Sequence, residues 1–189
     1  MTVPQPIPTG AIRYNTDSNK MECFNGTKWM QIAVSSPDLD GGARGLIVGG
    51  YNGSNRIDTV EYITISTTGD ATDFGNLTVA RNWVGGGSSS TRGLTAGGRT
   101  PTNQDVIDYV TIATTGDATD FGDLTSARYS VNGASNSSRC VFMGAGPSSN
   151  IMDYVTIAST GNAIDYGDLS YTSTQGGGGN SNGHGGLVG

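Results

Sequence analysis

Apolar residues along this chain fall in short runs that are separated by glycine and small polar residues. Leu46-Ile47-Val48 ends in two glycines, while Tyr62-Ile63-Thr64-Ile65 alternates apolar and polar positions. A compact apolar run that ends in glycine is typical of a strand buried on both faces, and alternation is typical of a half-buried strand. Glu and Lys are scarce, whereas there are 31 glycines in 189 residues. The pattern predicts an all-β protein.

This pattern is repeated three times. Tyr62, Tyr109 and Tyr154 mark the copies, which are separated by 47 and then 45 residues. In each copy an Arg opens an apolar strand, an acidic residue precedes the Tyr, and a second aromatic residue follows that Tyr by 12 positions. We place the copies at 43–90, 91–137 and 138–183, with 184–189 as the opening of a fourth copy.

Each copy is expected to form three or four short strands joined by tight turns. The Thr-Gly-Asp segment after the Tyr strand is a predicted turn, because Gly adopts positive φ and Asp can bond its own backbone. The glycine runs 85–87 and 176–179 lack the Lys and Ser/Thr of a phosphate-binding loop, so we interpret them as turns. Strand content of this kind is typical of one propeller blade.

Over residues 43–184 the repeat resembles the kelch β-propeller repeat. The shared features are a Gly-Gly doublet after an apolar strand, an acidic-Tyr pair and a second aromatic, at a period of roughly 50 residues. The second aromatic is Phe74, Phe121 or Tyr166, where kelch repeats have Trp. The resemblance implies a fold of kelch-like β-propeller-type repeats behind a short N-terminal β-meander.

Three copies create a problem of open sheet edges. A propeller closes with about four to eight blades, and unpaired edges invite aggregation. The edges could be covered by further repeats of a longer protein, by a tail strand that pairs with an early strand, or by other chains. We favour the first, because the sequence stops at Gly189 inside a motif.

Residues 1–34 do not belong to the repeat and form a predicted docking segment, which a linker at 35–42 joins to the repeats. The start is rich in proline and therefore extended. Three short strands and an Asn25-Gly26 hairpin signal then predict a β-meander. A meander this small cannot bury a core of its own, so its apolar side chains need a partner surface. The candidate docking residues are Ile12, Tyr14, Phe24 and Trp29.

Residues 9–32 resemble a module that is common in tailed-bacteriophage virion proteins, including tail fibres. The module has the pattern G-x-I-R-Y-N-x-x-x-x-x-x-E-x-F/Y-x-G-x-x-W, and it is matched by Gly10, Ile12, Arg13, Tyr14, Asn15, Glu22, Phe24, Gly26 and Trp29. The resemblance implies a non-enzymatic structural component of a virion, such as a fibre or exterior appendage, made in the host cytoplasm. Its partners would be other virion proteins and copies of itself, commonly in a homotrimer. A capsid decoration or head-fibre protein is an alternative.

The charge balance argues against several other functions. Lys plus Arg is 10 and Asp plus Glu is 16, so the net charge is −6, and there is no basic run. Such a chain lacks the electrostatic footprint of a nucleic-acid-binding protein. No apolar run approaches the ~20 residues that span a membrane. Cys23 and Cys140 are far apart in the sequence and are interpreted as free thiols.

Acidic pairs in the repeated turn are the main candidates for metal ligands. Asp70 with Asp73, and Asp117 with Asp120, offer few of the about six to eight oxygens that Ca²⁺ takes. We therefore interpret these acids as caps of their own turns. His184 is the single histidine, so we expect no metal, no cofactor and no catalytic triad.

Two aromatic residues are candidates for ligand contact. Trp83 and Tyr129 fall in or beside predicted loops. A propeller face could present them to a host surface glycan, which gives an alternative function as the glycan-binding module of a receptor-binding protein. Packing in the core or in an interface is the competing interpretation, and it is at least as well supported.

Three arginines recur at one position of the repeat, as do three acids. We expect these residues to form a structural ladder of salt bridges rather than a ligand site. The arginines are Arg44, Arg92 and Arg139, and the acids are Glu61, Asp108 and Asp153.

Overall fold

The computed structural model of the chain describes residues 7–17, 20–32, 44–174 and 177–180. These residues form 14 β-strands, and no helix occurs among them. The all-β class is therefore confirmed. The chain divides into two compact units, Met1–Pro37 and Asp38–Gly189, which we call unit 1 and unit 2.

Unit 1 contains one antiparallel sheet of three strands in the order β1-β2-β3. The strands are β1 (Ile12–Asn15), β2 (Lys20–Phe24) and β3 (Trp29–Gln31). At the second turn, the Asn25 amide donates to the Lys28 carbonyl at 3.1 Å, and Gly26 has φ of +94°. The Asn-Gly signal thus marks a real connection between two strands, as the sequence predicts.

Unit 2 contains three antiparallel sheets that follow one another along the chain. The first sheet is β4 (Arg44–Tyr51), β5 (Arg56–Thr64) and β6 (Thr72–Asn76). The second is β7 (Gly85–Ser88), β8 (Arg92–Ala96), β9 (Gln104–Thr111) and β10 (Thr119–Arg128). The third is β11 (Asn132–Ser135), β12 (Arg139–Ala145), β13 (Ser149–Thr156) and β14 (Ile164–Ser173). Within each sheet, strands adjacent in sequence are paired, so every connection is a hairpin or a short loop.

The second and third sheets each begin with a glycine-containing strand. The run 85–87, predicted as a turn, is instead strand β7. Glycine is needed there because the first strands of successive sheets stack closely. A Cβ on Gly133 in β11 would lie 1.9 Å from the Gly86 carbonyl oxygen in β7. Outside the strands, a Cβ on Gly179 would lie 2.1 Å from the Gly133 carbonyl oxygen. Strands β7 and β11 therefore exclude side chains where they meet.

The apolar core lies between successive sheets rather than inside any one of them. A larger cluster joins the second and third sheets and includes Phe121, Phe142 and Ile157. A smaller one around Val60 and Phe74 joins the first and second sheets. The prediction that the opening apolar run is buried on both faces holds for copy two, where Leu94, Thr95 and Ala96 are buried. It is wrong for copy one, because Ile47 is 45% exposed.

The segments after the second and third Tyr strands, β9 and β13, each cover the outer edge of the preceding sheet. We call 115–118 and 160–163 the tongues. In the first tongue, Gly116 and Ala118 donate to the carbonyls of Phe74 and Asn76, both at 2.7 Å. The second tongue repeats this with Gly161 to Phe121 and Ala163 to Asp123, again at 2.7 Å. The tongues thereby satisfy edge-strand carbonyls that would otherwise be open to pairing.

Asp117 does not cap its own turn, so the prediction is wrong for this acid. Asp117 Oδ1 accepts the backbone N–H of Asn76 in the preceding sheet at 2.9 Å. Asn162 Oδ1 accepts the N–H of Asp123 in the same way at 3.1 Å. A side-chain oxygen at this position therefore joins two sheets.

The predicted ladder between the recurring arginines and acids is also wrong. Arg44 pairs with Thr64 across the first sheet, while Glu61 pairs with Ile47. Because side chains alternate between faces, Arg44 and Glu61 lie on opposite faces of the sheet. The arginines instead lie over tyrosine rings at 4.4 to 4.8 Å, in the pairs Arg44–Tyr62, Arg92–Tyr109 and Arg139–Tyr154.

Several predictions concern residues outside the described ranges. They are the proline-rich start, the linker at 35–42, His184 and the fourth-copy fragment at 184–189.

Candidate functional site

The sheet of unit 1 has one face that is entirely apolar. Ile12 pairs with Cys23 and Cys23 with Met30, while Tyr14 pairs with Met21. Directly paired residues lie on the same face, so all five side chains share one face. Ile12 is 62% exposed and Tyr14 is 54% exposed. We call Ile12, Tyr14, Met21, Cys23 and Met30 the apolar face.

The opposite face of unit 1 is occupied by its own interactions. Phe24 and Trp29 pack with ring centroids 5.4 Å apart, and the Arg13 guanidinium lies 4.2 Å above the Trp29 ring. Arg13 also forms a salt bridge of 2.8 Å with Glu22. Hydrogen bonds from Asn15 and Arg13 lower the pKa of the Glu22 carboxyl. The four predicted docking residues are thus divided, with Ile12 and Tyr14 on the apolar face and Phe24 and Trp29 on the other.

In unit 2, the two aromatic residues named from the sequence are neighbours. Trp83 precedes β7 and Tyr129 follows β10, yet their ring centroids are 5.4 Å apart at an interplanar angle of 39°. The Arg99 guanidinium lies 6.0 Å from the Trp83 ring and 5.7 Å from the Tyr129 ring. Trp83 is 51% exposed. The three side chains form one cluster with an open aromatic surface.

Main-chain bonds fix the position of this cluster. The Ser130 amide donates to the Trp83 carbonyl at 2.6 Å, and Asn82 and Arg99 exchange two backbone hydrogen bonds. Trp83 has φ of +57° and Ser130 has φ of +54°, a region that is strained for residues other than glycine. The two residues occupy equivalent positions, six residues after Leu77 and Leu124. The turn therefore belongs to the repeat, and copy one uses it to present a Trp.

The cluster lies at the edge of a cavity of 590 Å³. Of the described residues that line it, Arg99 is the only charged one, and Ser130, Asn132 and Thr174 supply polar groups. We call this the aromatic groove. Its size falls within the range of small-molecule sites, and its lining combines aromatic and aliphatic side chains with a larger share of polar surface.

Two of the recurring acids, Asp108 and Asp153, form buried ion pairs with arginines other than the recurring Arg44, Arg92 and Arg139. Arg81 Nη2 lies 3.0 Å from Asp108 Oδ2, with both side chains fully buried, and Arg128 makes the equivalent pair with Asp153. Burial lowers the pKa of the Arg81 guanidinium, while the charge of Asp108 raises it. Thr78 completes the site by donating to Asp108 at 2.7 Å. These pairs link successive sheets and leave their carboxylates enclosed.

Neither thiol group belongs to a cluster that suggests chemistry. Burial raises the pKa of the Cys140 thiol to about 12, so its reactive thiolate is scarce near neutral pH. Within the described ranges, no group of three His, Cys, Asp or Glu side chains is placed to hold a metal ion. The same ranges contain no helix of the length and apolarity that crossing a membrane requires.

The chain matches none of the known protein-family profiles and none of the curated proteins.

Sequence reasoning missed part of both surfaces. Met21 is already evident as an apolar side chain of the meander that needs a partner surface. Cys23 and Met30 could have been found by writing out the pairing of the meander, because the hairpin at Asn25-Gly26 pairs them with each other. Arg99 carries no such signal, since it is not among the arginines that recur at one register of the repeat. Its place beside Trp83 depends on backbone pairing with Asn82.

Proposed function

We propose that this protein is a non-enzymatic structural component of a tailed-phage virion, a fibre or exterior appendage that docks on the particle through unit 1. The observation that carries the proposal is the apolar face, which belongs to the segment whose sequence resembles the virion module. An exposed, contiguous apolar surface on a small sheet marks an interaction site. Ile12 and Tyr14 are its most exposed members.

We also propose that the three sheets of unit 2 are propeller-type blades that project from or plate the particle. Two features support this arrangement. Each sheet consists of antiparallel strands, and the three sheets follow one another in sequence order. Their contacts repeat, since each tongue makes the same two backbone bonds to the preceding sheet. The partners in this proposal are other virion proteins and further copies of the chain, as a homotrimer, and the protein resides in the virion.

The docking role can be tested by complementing a phage that lacks the chain with tagged copies. The double variant Ile12→Asp, Tyr14→Asp places two charges on the apolar face and is expected to be lost from purified particles. The control is Gln31→Asp, which adds a charge to the opposite face and is expected to be incorporated like the wild type. Circular dichroism establishes that both variants are folded. Incorporation of the double variant at the wild-type level would contradict docking through this face.

A second candidate function is recognition of a host surface glycan at the aromatic groove. The observation that favours it is the exposed Trp83 ring, which is held beside Tyr129 by an ordered turn. Aromatic rings stack against the C–H face of sugars, while polar groups nearby can bond the hydroxyls. The alternative of core packing fits Trp83 less well, because half of its surface is exposed.

Binding of purified chain to host cells or envelope polysaccharide tests this function. The variants Trp83→Ala and Tyr129→Ala are expected to lose binding, because each removes one ring of the pair. Tyr51→Ala is a matched control, since Tyr51 is also exposed but does not line the groove. Equal binding by all three variants would place recognition elsewhere.

A further inference from the structure

Arg99 differs from the other described arginines that line buried or half-buried sites. Arg44 and Arg92 donate to the carbonyls of Ile112 and Ile157, at 2.8 and 2.9 Å. For Arg99, no ion pair or side-chain hydrogen bond is formed with any described residue, and its Nε is buried without an acceptor. The Nε atoms of Arg81 and Arg128 are also buried without an acceptor, but those guanidinium groups have the carboxylates of Asp108 and Asp153 as counterions. Arg99 has no counterion among the described residues, so its charge is available to an anionic group in the groove.

The position of Arg99 is fixed before any ligand arrives. Its backbone is bridged to Asn82 on one side and to Asn103 on the other. Its guanidinium lies near two aromatic rings, whose faces attract a cation. A guanidinium that is already ordered loses less entropy when it binds, and its planar fork matches a carboxylate through two parallel hydrogen bonds.

The charges around the groove favour an anion. The chain as a whole has a net charge of −6, yet Arg99 is the only charged residue among the described lining. Charges farther away than about 8–10 Å are largely screened at physiological ionic strength, so the net charge of the whole chain does not set the field at the groove. A neutral sugar would offer the Arg99 guanidinium no counterion.

We propose that the aromatic groove selects an acidic sugar of the uronic-acid class, with the sugar ring against Trp83 and its carboxylate on the Arg99 guanidinium. This inference rests on glycan recognition at the groove, the second proposed function. The inference adds the chemical class of the glycan and names Arg99 as the residue that binds its carboxylate. It does not depend on whether the chain is part of a virion.

The test compares two probes that differ only in charge. Oligogalacturonate and its methyl ester share one sugar backbone, and isothermal titration calorimetry measures the affinity of the full chain for each. We expect the acid to bind at least about tenfold more tightly than the ester, as charge-assisted hydrogen bonds are the stronger ones. Raising the salt concentration should weaken the binding of the acid and leave the binding of the ester unchanged.

Variants of Arg99 test whether this residue causes the difference in affinity between the acid and the ester. Arg99→Gln should bring the affinity for the acid down to that for the ester, and Arg99→Lys should recover only part of the difference because it lacks the planar fork. Arg139→Gln is the matched control, since Arg139 also lies over a tyrosine ring but does not line the groove. Unchanged thermal unfolding shows that a variant is folded.

The outcomes separate the two proposals. Tighter binding of the acid that disappears in Arg99→Gln supports the inference. Equal binding of acid and ester, abolished by Trp83→Ala, leaves glycan recognition standing and overturns the selectivity for acids. Absence of binding by either probe overturns the inference, while retained binding of host envelope polysaccharide leaves glycan recognition standing. Absence of binding to both the probes and the host polysaccharide overturns the two proposals together.

Discussion

The outer strands β10 and β14 carry the same motif but have different surroundings. Phe121 in β10 is 2% exposed, whereas Tyr166 at the equivalent position in β14 is 53% exposed. Both strands have the same register with their neighbours, since Gly122 pairs with Ile107 and Gly167 with Met152. The difference is the tongue 160–163, which covers β10, while no described residue makes the equivalent bonds to β14. Burial of the aromatic is therefore set by the copy that follows it.

The charged residues show the same contrast. Arg128 lies four residues after Leu124 and forms a buried ion pair with Asp153 of the third sheet. Ser173 occupies that position in copy three, four residues after Leu169. In the first sheet of unit 2, Glu61 is equivalent to Asp153 and forms no ion pair with any described residue. Within the described part of unit 2, a buried ion pair is thus found only where two sheets enclose it.

The largest difference in the free energy of unfolding between equivalent positions is expected at the buried Arg128–Asp153 pair. Asp153→Asn should lower the free energy of unfolding by ~3–5 kcal/mol, because it leaves the Arg128 charge buried without a counterion. Glu61→Gln makes the same chemical change at the equivalent position and should cost less than about 1 kcal/mol. Urea denaturation measures both. Equal losses would show that the pair does not link the sheets as described.

The next largest difference in stability is expected at the second aromatic of the repeat, which is Phe121 in copy two and Tyr166 in copy three. Phe121→Ala is expected to cost ~3–5 kcal/mol, because the ring fills the core between the second and third sheets. Tyr166→Ala removes a ring that is more than half exposed and should cost about 1 kcal/mol or less. The same denaturation assay applies. A larger loss for Tyr166→Ala would mean that β14 is covered.

Two glycines allow a third comparison of stability, Gly133 in strand β11 and Gly178, which lies outside the strands. Gly133→Ala should destabilise the protein by ~1–3 kcal/mol, because its Cβ would collide with the Gly86 carbonyl. Gly178→Ala meets nothing within 4 Å and should stay within ~0.5 kcal/mol of the wild type. Thermal unfolding can resolve the two. A neutral Gly133→Ala would contradict the close stacking of β7 and β11.

The smallest effect on stability is expected in the tongue 115–118. Asp117→Ala removes the acceptor of the Asn76 N–H and should cost ~0.5–1.5 kcal/mol. Asp70 is the equivalent residue of copy one and accepts no hydrogen bond from any described residue, so Asp70→Ala should be close to neutral. Hydrogen exchange at the Asn76 amide adds a local readout, since only Asp117→Ala should accelerate it.

The sequence alone predicts strands, repeats and turns well, because these depend on local alternation and on glycine. It does not predict which Arg meets which acid. Arg44 and Glu61 recur together, but the register places them on opposite faces, and Asp108 is instead reached by Arg81 from the preceding sheet. Pairing of this kind depends on how sheets stack, which no periodicity within one copy encodes.

The candidate surfaces could be predicted only in part. Trp83 and Tyr129 could be named as exposed aromatics, and the structure brings them together because they follow equivalent strands of neighbouring sheets. Arg99 could not be named, since its role depends on the bridge to Asn82. The docking residues were found as apolar side chains, but only the cross-strand pairing separates Ile12 and Tyr14 from Phe24 and Trp29.

If the chain is a phage virion component, as we propose, the most direct test of the account is quantitative mass spectrometry of purified particles of that phage. We predict that peptides of the chain remain with intact particles through gradient purification, at a constant ratio to the major capsid protein. Absence of the chain from particles, together with its recovery in the soluble fraction of lysed host cells, would contradict a structural role in the virion.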